Sequence, residues 1–254
     1  MKHKENQRPF VLHKTDVHLW VIPLDVDPQE REKLVTLLSP EEKRRAEKFY
    51  FDRDRNRYIV ARARLRTLLG QYLSVQPQRL IFGYNAFGKP FLVSPVFQET
   101  VQFNLSHSHD WGLIGITTVG PIGVDIEKIK SSIEADTIGK RFFAKGEVEV
   151  LSAAPSSEKL DIFFSCWTRK EAFIKAIGKG LTFSLQDFEI NPRPEEKYPA
   201  LQFLKPSAEG ENLWKLFAFE PVDGFKAAVA VCSQKAPVFR VFHFQSTGEA
   251  PWKH

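Results

Sequence analysis

Pro121-Ile122-Gly123-Val124-Asp125-Ile126-Glu127 places β-branched residues on either side of Asp125 and ends on a second carboxylate. β-Branched flanks predict a strand. Strand side chains alternate faces, so Asp125 and Glu127 point one way while Val124 and Ile126 point the other. Two carboxylates on one strand face repel each other; they sit on a solvated face, or they hold a hard divalent cation. A second stretch, Trp167-Thr168-Arg169-Lys170-Glu171-Ala172-Phe173-Ile174-Lys175, reads as a helix in which Glu171 and Lys175 share a face at i, i+4. Trp167 stands four residues before Glu171, which puts the charged pair in line with a large apolar side chain. The plainer readings are a polar strand edge and a surface ion pair. Phe173, Ile174 and Ile177 count against them, because they make the helix largely buried, and charges beside a core need a reason. Asp125, Glu127, Glu171 and Lys175 together offer oxygen ligands for Mg²⁺, a base, and a cation for a phosphate.

Outward from these stretches the chain alternates strand and helix signals. Val17–Ile22 predicts a strand ending at Pro23, and Asp27-Pro28 opens a helix reaching about Leu38. Ser39-Pro40-Glu41-Glu42 is a helix start with cap, proline and acids in their usual places; that helix runs to about Tyr50. A longer helix follows over about 52–73, with Tyr58, Ala61, Leu65, Leu68 and Leu69 on one stripe. Gln78–Tyr84 predicts a strand, Asn85–Pro90 a turn, and Val101–Leu105 a strand that gives way to a polar loop, Ser106-His107-Ser108-His109-Asp110. Trp111–Thr117 and Ile122–Ile126 read as a hairpin around Val119-Gly120-Pro121. Helices are expected near 132–141, 144–153 and 157–177, the last ended by Gly178 and Gly180, then strands near 188–190, 201–203, 213–220 and 226–232. The fold class is α+β: two similar α/β halves, 17–120 and 121–235, between tails at 1–16 and 236–254.

The 254 residues and 43% hydrophobic content, with 22 Phe, are ample for a core and exclude a disordered chain. The two cysteines, Cys166 and Cys232, lack metal or disulfide spacing, and Cys166 lies in an apolar run, so a reducing compartment is expected. The amino terminus has no apolar leader, and the most apolar stretch, 112–124, is broken by Thr, Gly and Pro, so the expectation is a cytoplasmic protein with no membrane partner. Between Glu41 and Arg66 ten Lys and Arg face five acids, an excess equal to the whole chain's net +5. Such a segment suits a polyanion, either nucleic acid or a multiply phosphorylated small molecule, and most of its cations are expected on a solvated helix face.

With these stretches in order, the chain resembles the 4′-phosphopantetheinyl transferases, in particular the longer, monomeric surfactin-synthetase-activating type. The likeness covers about 19–231. It rests on Phe103-Asn104-Leu105-Ser106-His107-Ser108, on 121–127, on Arg141-Phe142-Phe143, on 167–175 followed by Gly178-Lys179-Gly180-Leu181, and on Gly88-Lys89-Pro90 and Ser39-Pro40-Glu41. The resemblance implies two α/β halves related by a pseudo-twofold axis, with coenzyme A in the cleft between them. It implies transfer of the phosphopantetheine arm to a serine of an apo acyl, polyketide or peptidyl carrier protein, the reaction of holo-[acyl-carrier-protein] synthase, releasing adenosine 3′,5′-bisphosphate. By position, Asp125, Glu127 and Glu171 hold Mg²⁺. Lys175 contacts the pyrophosphate and assists the leaving group, Ser106 and His107 bind phosphate, and Lys89 fixes the nucleotide. Arg45 stands where the family has a cation for the 3′-phosphate. The neighbouring basic position is Glu42 here, for which Lys43 or Arg57 substitutes. Glu171 is the general-base candidate, and Glu171, Lys175 and His107 form the catalytic set. Two other readings stand beside this one. One is a metal-dependent nuclease built on Asp125 and Glu127-Lys128, although Lys128 would face away from its neighbour; the other is a non-catalytic module that binds nucleic acid or a coenzyme.

Overall fold

A computed structural model describes residues 10–93, 101–204 and 213–244; most of both expected tails, residues 1–9 and 245–254, lies outside this range. Strand β1 (Asp16–Pro23) is followed by helices α1 (Pro28–Val35), α2 (Pro40–Glu47) and α3 (Asp52–Leu73). Strands β2 (Phe82–Tyr84) and β3 (Pro90–Leu92) form a small hairpin. Then come β4 (Gln102–Ser108), β5 (Trp111–Thr117) and β6 (Ile122–Lys128). Helices α4 (Ala135–Phe142), α5 (Lys145–Ala153) and α6 (Lys159–Ile177) follow. The remaining strands are β7 (Phe188–Ile190), β8 (Leu201–Phe203), β9 (Trp214–Phe219), β10 (Phe225–Cys232) and β11 (Val238–His243).

Two sheets carry the fold. One has the order β11-β1-β5-β4, the other β6-β10-β9. Alternation decides what each strand buries. Val17, Leu19 and Val21 of β1 join Ile122, Val124, Ile126 and the β10 residues Ala227, Val229 and Val231 in a core between the sheets. The other face of β1, with Trp20 and Ile22, packs under α3. The other face of β10, with Ala228 and Ala230, packs under α6. Both strands are therefore buried on two faces and read as almost unbroken apolar runs.

The structure corrects three expectations and refines a fourth. β5 and β6 do not form a hairpin: β5 pairs with β1 and β4, which occupy both its edges, and β6 pairs with β10. β4 does not stop at Leu105. It runs through Ser106, His107 and Ser108 and turns tightly at His109, whose φ is 53°. Residues 238–243, expected in a tail, form β11 and pair in parallel with β1, from Asp16 opposite Val238 to Val21 opposite His243. The basic segment is mostly solvated, as expected, with Lys43, Arg44, Arg45, Lys48 and Arg53 exposed and Arg55 and Arg57 half-buried, but three of its arginines are not. Arg62, Arg64 and Arg66 are buried on α3, held by Glu42, Glu30 and Glu42 respectively.

Glu42 has a double duty. Its backbone N–H donates to Ser39 Oγ, and its carboxylate accepts from Ser39 N at 2.9 Å while also binding Arg62 and Arg66. Burial alone would raise its pKa, but the two guanidiniums outweigh that and hold it below the ordinary glutamate value.

Candidate active site

The site begins at Gly123. A Cβ there would stand 2.1 Å from the Ala172 carbonyl and 2.2 Å from the Ala176 amide, so α6 lies directly on β6 only because residue 123 has no side chain. Asp125 and Glu127 follow on the same face of β6, under Glu171 and Lys175 of α6. Gly178, with φ 68°, ends the helix just beyond them.

β4 and β6 meet through side chains. Asn104 Oδ1 accepts from Val124 N at 2.9 Å, Ser106 Oγ donates to Asp125 Oδ1 at 3.0 Å, and Ser108 Oγ donates to Glu127 Oε2 at 2.7 Å. Ser108 Oγ also accepts from Lys128 N. Three polar residues at alternate positions thus line one face of β4, and they join the halves where the carboxylates stand.

Asp125 is buried, and Lys175 Nζ binds its Oδ1 at 2.5 Å while also reaching Ser106 Oγ at 3.0 Å. Its Oδ2 is buried without a hydrogen-bond partner. Burial, and then the Asp125 charge, push the pKa of both Glu171 and Glu127 above the ordinary glutamate value. Burial works against the Lys175 ammonium, but Asp125, Glu171 and Glu127 outweigh it and hold its pKa above that of ordinary lysine. The donor set is one of hard oxygens, with one orphaned buried lone-pair site and mutual repulsion that a divalent cation would relieve. Among the described residues no three His, Cys, Asp or Glu are gathered closely enough to enclose an ion; Lys175 instead occupies the Asp125 carboxylate.

Two cavities open on either side of Glu171 and Lys175. The smaller, about 310 Å³, is lined also by Phe87, Lys89, Asn104 and Gly180. The larger, about 720 Å³, is lined also by Asp125, Glu127, Arg141, Phe142, Trp167 and Phe183. Lys89 donates to the Ile122 and Ala176 carbonyls, each at 2.9 Å, and burial brings its pKa down to about 8. Two of its three N–H groups are thus committed. His107 is exposed and, by alternation, on the face of β4 opposite Ser106 and Ser108; partial desolvation, and then the Lys175 charge, lower its pKa.

The expected residues divide. Asp125, Glu127, Glu171, Lys175 and Ser106 come together, with His107 and Lys89 at the margins. Arg57 is held by Asp25 through two bonds of 2.7 Å, and Arg45 leans over the Tyr58 ring on the exposed side of α2, where Lys43 is also exposed. Sequence reasoning missed Ser108 as the partner of Glu127, and Arg141 and Phe142 as cavity lining. The alternation Asn104, Ser106, Ser108 was the available signal. Within the helix motif, Arg169 and Lys170 point away from the site. Arg169 donates to the Asn191, Arg193 and Glu196 carbonyls, and Lys170 pairs with Glu147 at 2.8 Å.

This arrangement has counterparts among known proteins. The transferase HetI of Nostoc sp. is 38% identical over 222 residues, covering 87% of this chain and 90% of its own. The chain belongs to the 4′-phosphopantetheinyl transferase superfamily. The superfamily match itself spans residues 121–230, and residues 26–118 match the family described as 4′-phosphopantetheinyl transferase, N-terminal. Sfp of Bacillus subtilis is 30% identical over 82% of this chain and 88% of its own, and a phosphopantetheinyl transferase of Xenopus laevis is 34% identical over 61% and 55%. As a member of this superfamily the protein is an enzyme that transfers phosphopantetheine to carrier proteins, with coenzyme A as its substrate. The nuclease and binding-module readings are not favoured. No described helix is long and apolar enough to cross a membrane.

Proposed function

We propose that the protein transfers the 4′-phosphopantetheine arm of coenzyme A to a serine of an apo acyl, polyketide or peptidyl carrier protein, releases adenosine 3′,5′-bisphosphate, and requires Mg²⁺. The observation that carries this reading is the buried Asp125, with one oxygen held by Lys175 and Ser106, the other unpartnered, and two further carboxylates within electrostatic reach. Asp125, Glu127 and Glu171 would hold the ion. When bound, it would supply charge neutralisation at the pyrophosphate.

The chain's own residues do the rest. Lys175 stays charged in its carboxylate surroundings and balances the negative charge that grows on the leaving bisphosphate. The serine oxygen bonds to the phosphorus that carries the pantetheine, the bond from that phosphorus to the departing nucleotide phosphate breaks, and the serine proton passes to Glu171, directly or through a water. As a ligand Glu171 would be less basic than it is without the ion, and the cation would offset this by acidifying the hydroxyl or water beside it. Ser106 orients Asp125, and neutral His107 donates a hydrogen bond to phosphate. The smaller cavity, with the remaining N–H of Lys89, takes the nucleotide side of the pyrophosphate. The larger, with Phe142, Trp167 and Phe183, takes the pantetheine arm. Arg45, or Lys43 beside it, meets the 3′-phosphate; Arg57 could do so only by releasing Asp25.

Both halves of one chain contribute to this site, so the enzyme works as a monomer, in the cytoplasm where coenzyme A and carriers meet, without nucleic acid. The test is incubation with coenzyme A, Mg²⁺ and a panel of apo fatty-acid, polyketide and nonribosomal-peptide carriers, read by mass. At least one carrier gains a phosphopantetheine, and a chelator stops the gain. A panel in which no carrier changes mass overturns the reading.

A further inference from the structure

Asn104 stands on the face of β4 that meets β6 and is only 6% exposed. Its Oδ1 accepts from Val124 N at 2.9 Å. A backbone N–H can only donate, so the amide oxygen must face Val124, and the orientation of the side chain is settled. The other end of the amide is Nδ2, which carries two N–H donors. It has no hydrogen-bond partner among the described residues, and it is not among the polar atoms shut into the core without one. Further along the same face, Ser106 and Ser108 commit their hydroxyl protons to Asp125 and Glu127. Of the three, Asn104 alone keeps its donors uncommitted.

Asn104 lines the smaller cavity of about 310 Å³, together with Lys89 and Lys175. Most of the remaining wall is made by Phe87, Pro90, Leu105 and Ile174, whose side chains offer no hydrogen bond. A ligand entering there meets a neutral amide donor beside two ammonium groups, a set that calls for an anionic, acceptor-rich group. The ammoniums supply charge on long, turning stems. The amide is short and tied at its oxygen end, so it supplies direction and loses little freedom when it engages a ligand.

We infer that Asn104 is a further binding residue for coenzyme A, donating from Nδ2 to an oxygen of the nucleotide-side phosphate. The inference rests on the reading that the smaller cavity takes that side of the pyrophosphate. One amide then joins three parties: β4 that carries it, β6 through Val124, and the ligand. The N-terminal half thereby grips the substrate at the residue next to Asp125.

The first measurement is calorimetric binding of coenzyme A and adenosine 3′,5′-bisphosphate to wild type and Asn104→Asp. The aspartate keeps an oxygen for Val124 N and removes the donor. It should unfold in urea close to wild type, and bind both ligands about 10–100-fold more weakly, as expected for loss of a hydrogen bond to a charged group. Because the new charge also repels a phosphate at a distance, the contact itself is read in the wild type. The side-chain amide resonances of Asn104 are those missing from Asn104→Asp. They should shift saturably with adenosine 3′,5′-bisphosphate and much less with adenosine 3′-monophosphate, which lacks the phosphate in question. Wild-type affinity in Asn104→Asp, resonances that the bisphosphate leaves in place, or equal shifts with both nucleotides overturn the inference. A wild type that binds coenzyme A but modifies no carrier overturns the proposed function alone, since neither readout requires transfer. One that binds neither ligand overturns both.

Discussion

On α3, Arg66 reaches Glu42 near the start of α2 and donates to the Pro77 and Leu80 carbonyls in the turn beyond its own helix. On α6, Lys170 reaches Glu147 near the start of α5 and donates to the Leu185 and Phe188 carbonyls in the corresponding turn. In both halves the same glutamate also accepts the N–H of the residue three before it, Ser39 or Ala144. The two halves thus share an anchoring device down to its backbone bonds. They part company one and five residues past the anchoring cation. Beyond Lys170 those positions hold Glu171 and Lys175; beyond Arg66 they hold Thr67 and Gln71. Under α6 the strand offers Gly123, Asp125 and Glu127. Under α3 it offers His18, Trp20 and Ile22, and Tyr72 receives the Trp20 indole N–H at 2.9 Å and meets His18 at 2.7 Å. The anchored helix is common to both halves, and the carboxylates of the candidate site stand on one copy only.

The sharpest way to break this comparison is to remove the anchors. Glu42→Gln and Glu147→Gln each leave buried cations short of their counter-charge and should cost about 3–5 kcal/mol in urea unfolding. Glu42 serves two arginines and should be the worse loss. A variant at either position that unfolds like the wild type would show that the shared device does not hold the helices.

Next in size is the catalytic face. Asp125→Ala should lower transfer at least about 100-fold with the fold intact, because the Asp125 charge that is lost also repels Glu127 and Glu171. Thr67→Ala and Gln71→Ala, at the matching positions of the other half, should leave transfer within about twofold. Near-normal transfer by folded Asp125→Ala would remove the distinction between the halves.

The N-terminal half is expected to contribute binding, and Arg45 measures how much. Arg45→Ala should weaken coenzyme A by about 1–3 kcal/mol, the range of a charged hydrogen bond, and dephospho-coenzyme A much less. Equal losses for both would move the 3′-phosphate to Lys43.

The smallest effect concerns Lys89, which ties the β2–β3 turn to both β6 and the end of α6. Its pKa falls to about 8 from an ordinary 10.5 because burial disfavours the charge. The unfolded chain therefore binds the proton more tightly than the folded one, and stability rises as pH climbs from about 8 towards 10.5. Lys89→Met should flatten that rise. Over the same window the affinity of the wild type for coenzyme A should decline by less than about tenfold, as one cation near the pyrophosphate is neutralised. A coenzyme A affinity unchanged across the window would place Lys89 outside the nucleotide site.

Much of the fold could be read from local chemistry. Ser39, Pro40 and Glu42 marked a helix start, Gly178 a helix end, and the alternation around Asp125 gave the face on which the carboxylates lie. The failures share a cause: each turned on a partner distant in sequence. Val119-Gly120-Pro121 carries a turn signal, but which strand pairs with β6 was decided by β10, about a hundred residues later. Ser106 and Ser108 looked like loop because they are polar, yet they are strand residues whose polarity serves Asp125 and Glu127 across the junction. Which three of the ten cations would be buried was not legible, because nothing in the helix of Arg62, Arg64 and Arg66 reveals Glu30 and Glu42. β11 was overlooked because an edge strand with Arg240 and His243 has no clean apolar alternation. At the site, the carboxylates and Lys175 could be read from spacing and resemblance. The unpartnered Asp125 oxygen and the commitments of Lys89 and Arg57 could not, since these depend on distances that only the assembled fold sets.

The parallel pairing of β11 with β1 also bears on the order of assembly. β1 is the first and β11 the last of the described strands, yet they are neighbours in one sheet, and Phe242 stacks on Trp20 at 4.7 Å. The sheet of the N-terminal half therefore has an open edge for as long as the rest of the chain is being made. Such an edge is a template for wrong pairing. Contacts of this sequence separation also form slowly, since most of the chain must close as a loop to bring them together. The half without the candidate-site carboxylates is thus finished only when the last of the described strands returns to the first.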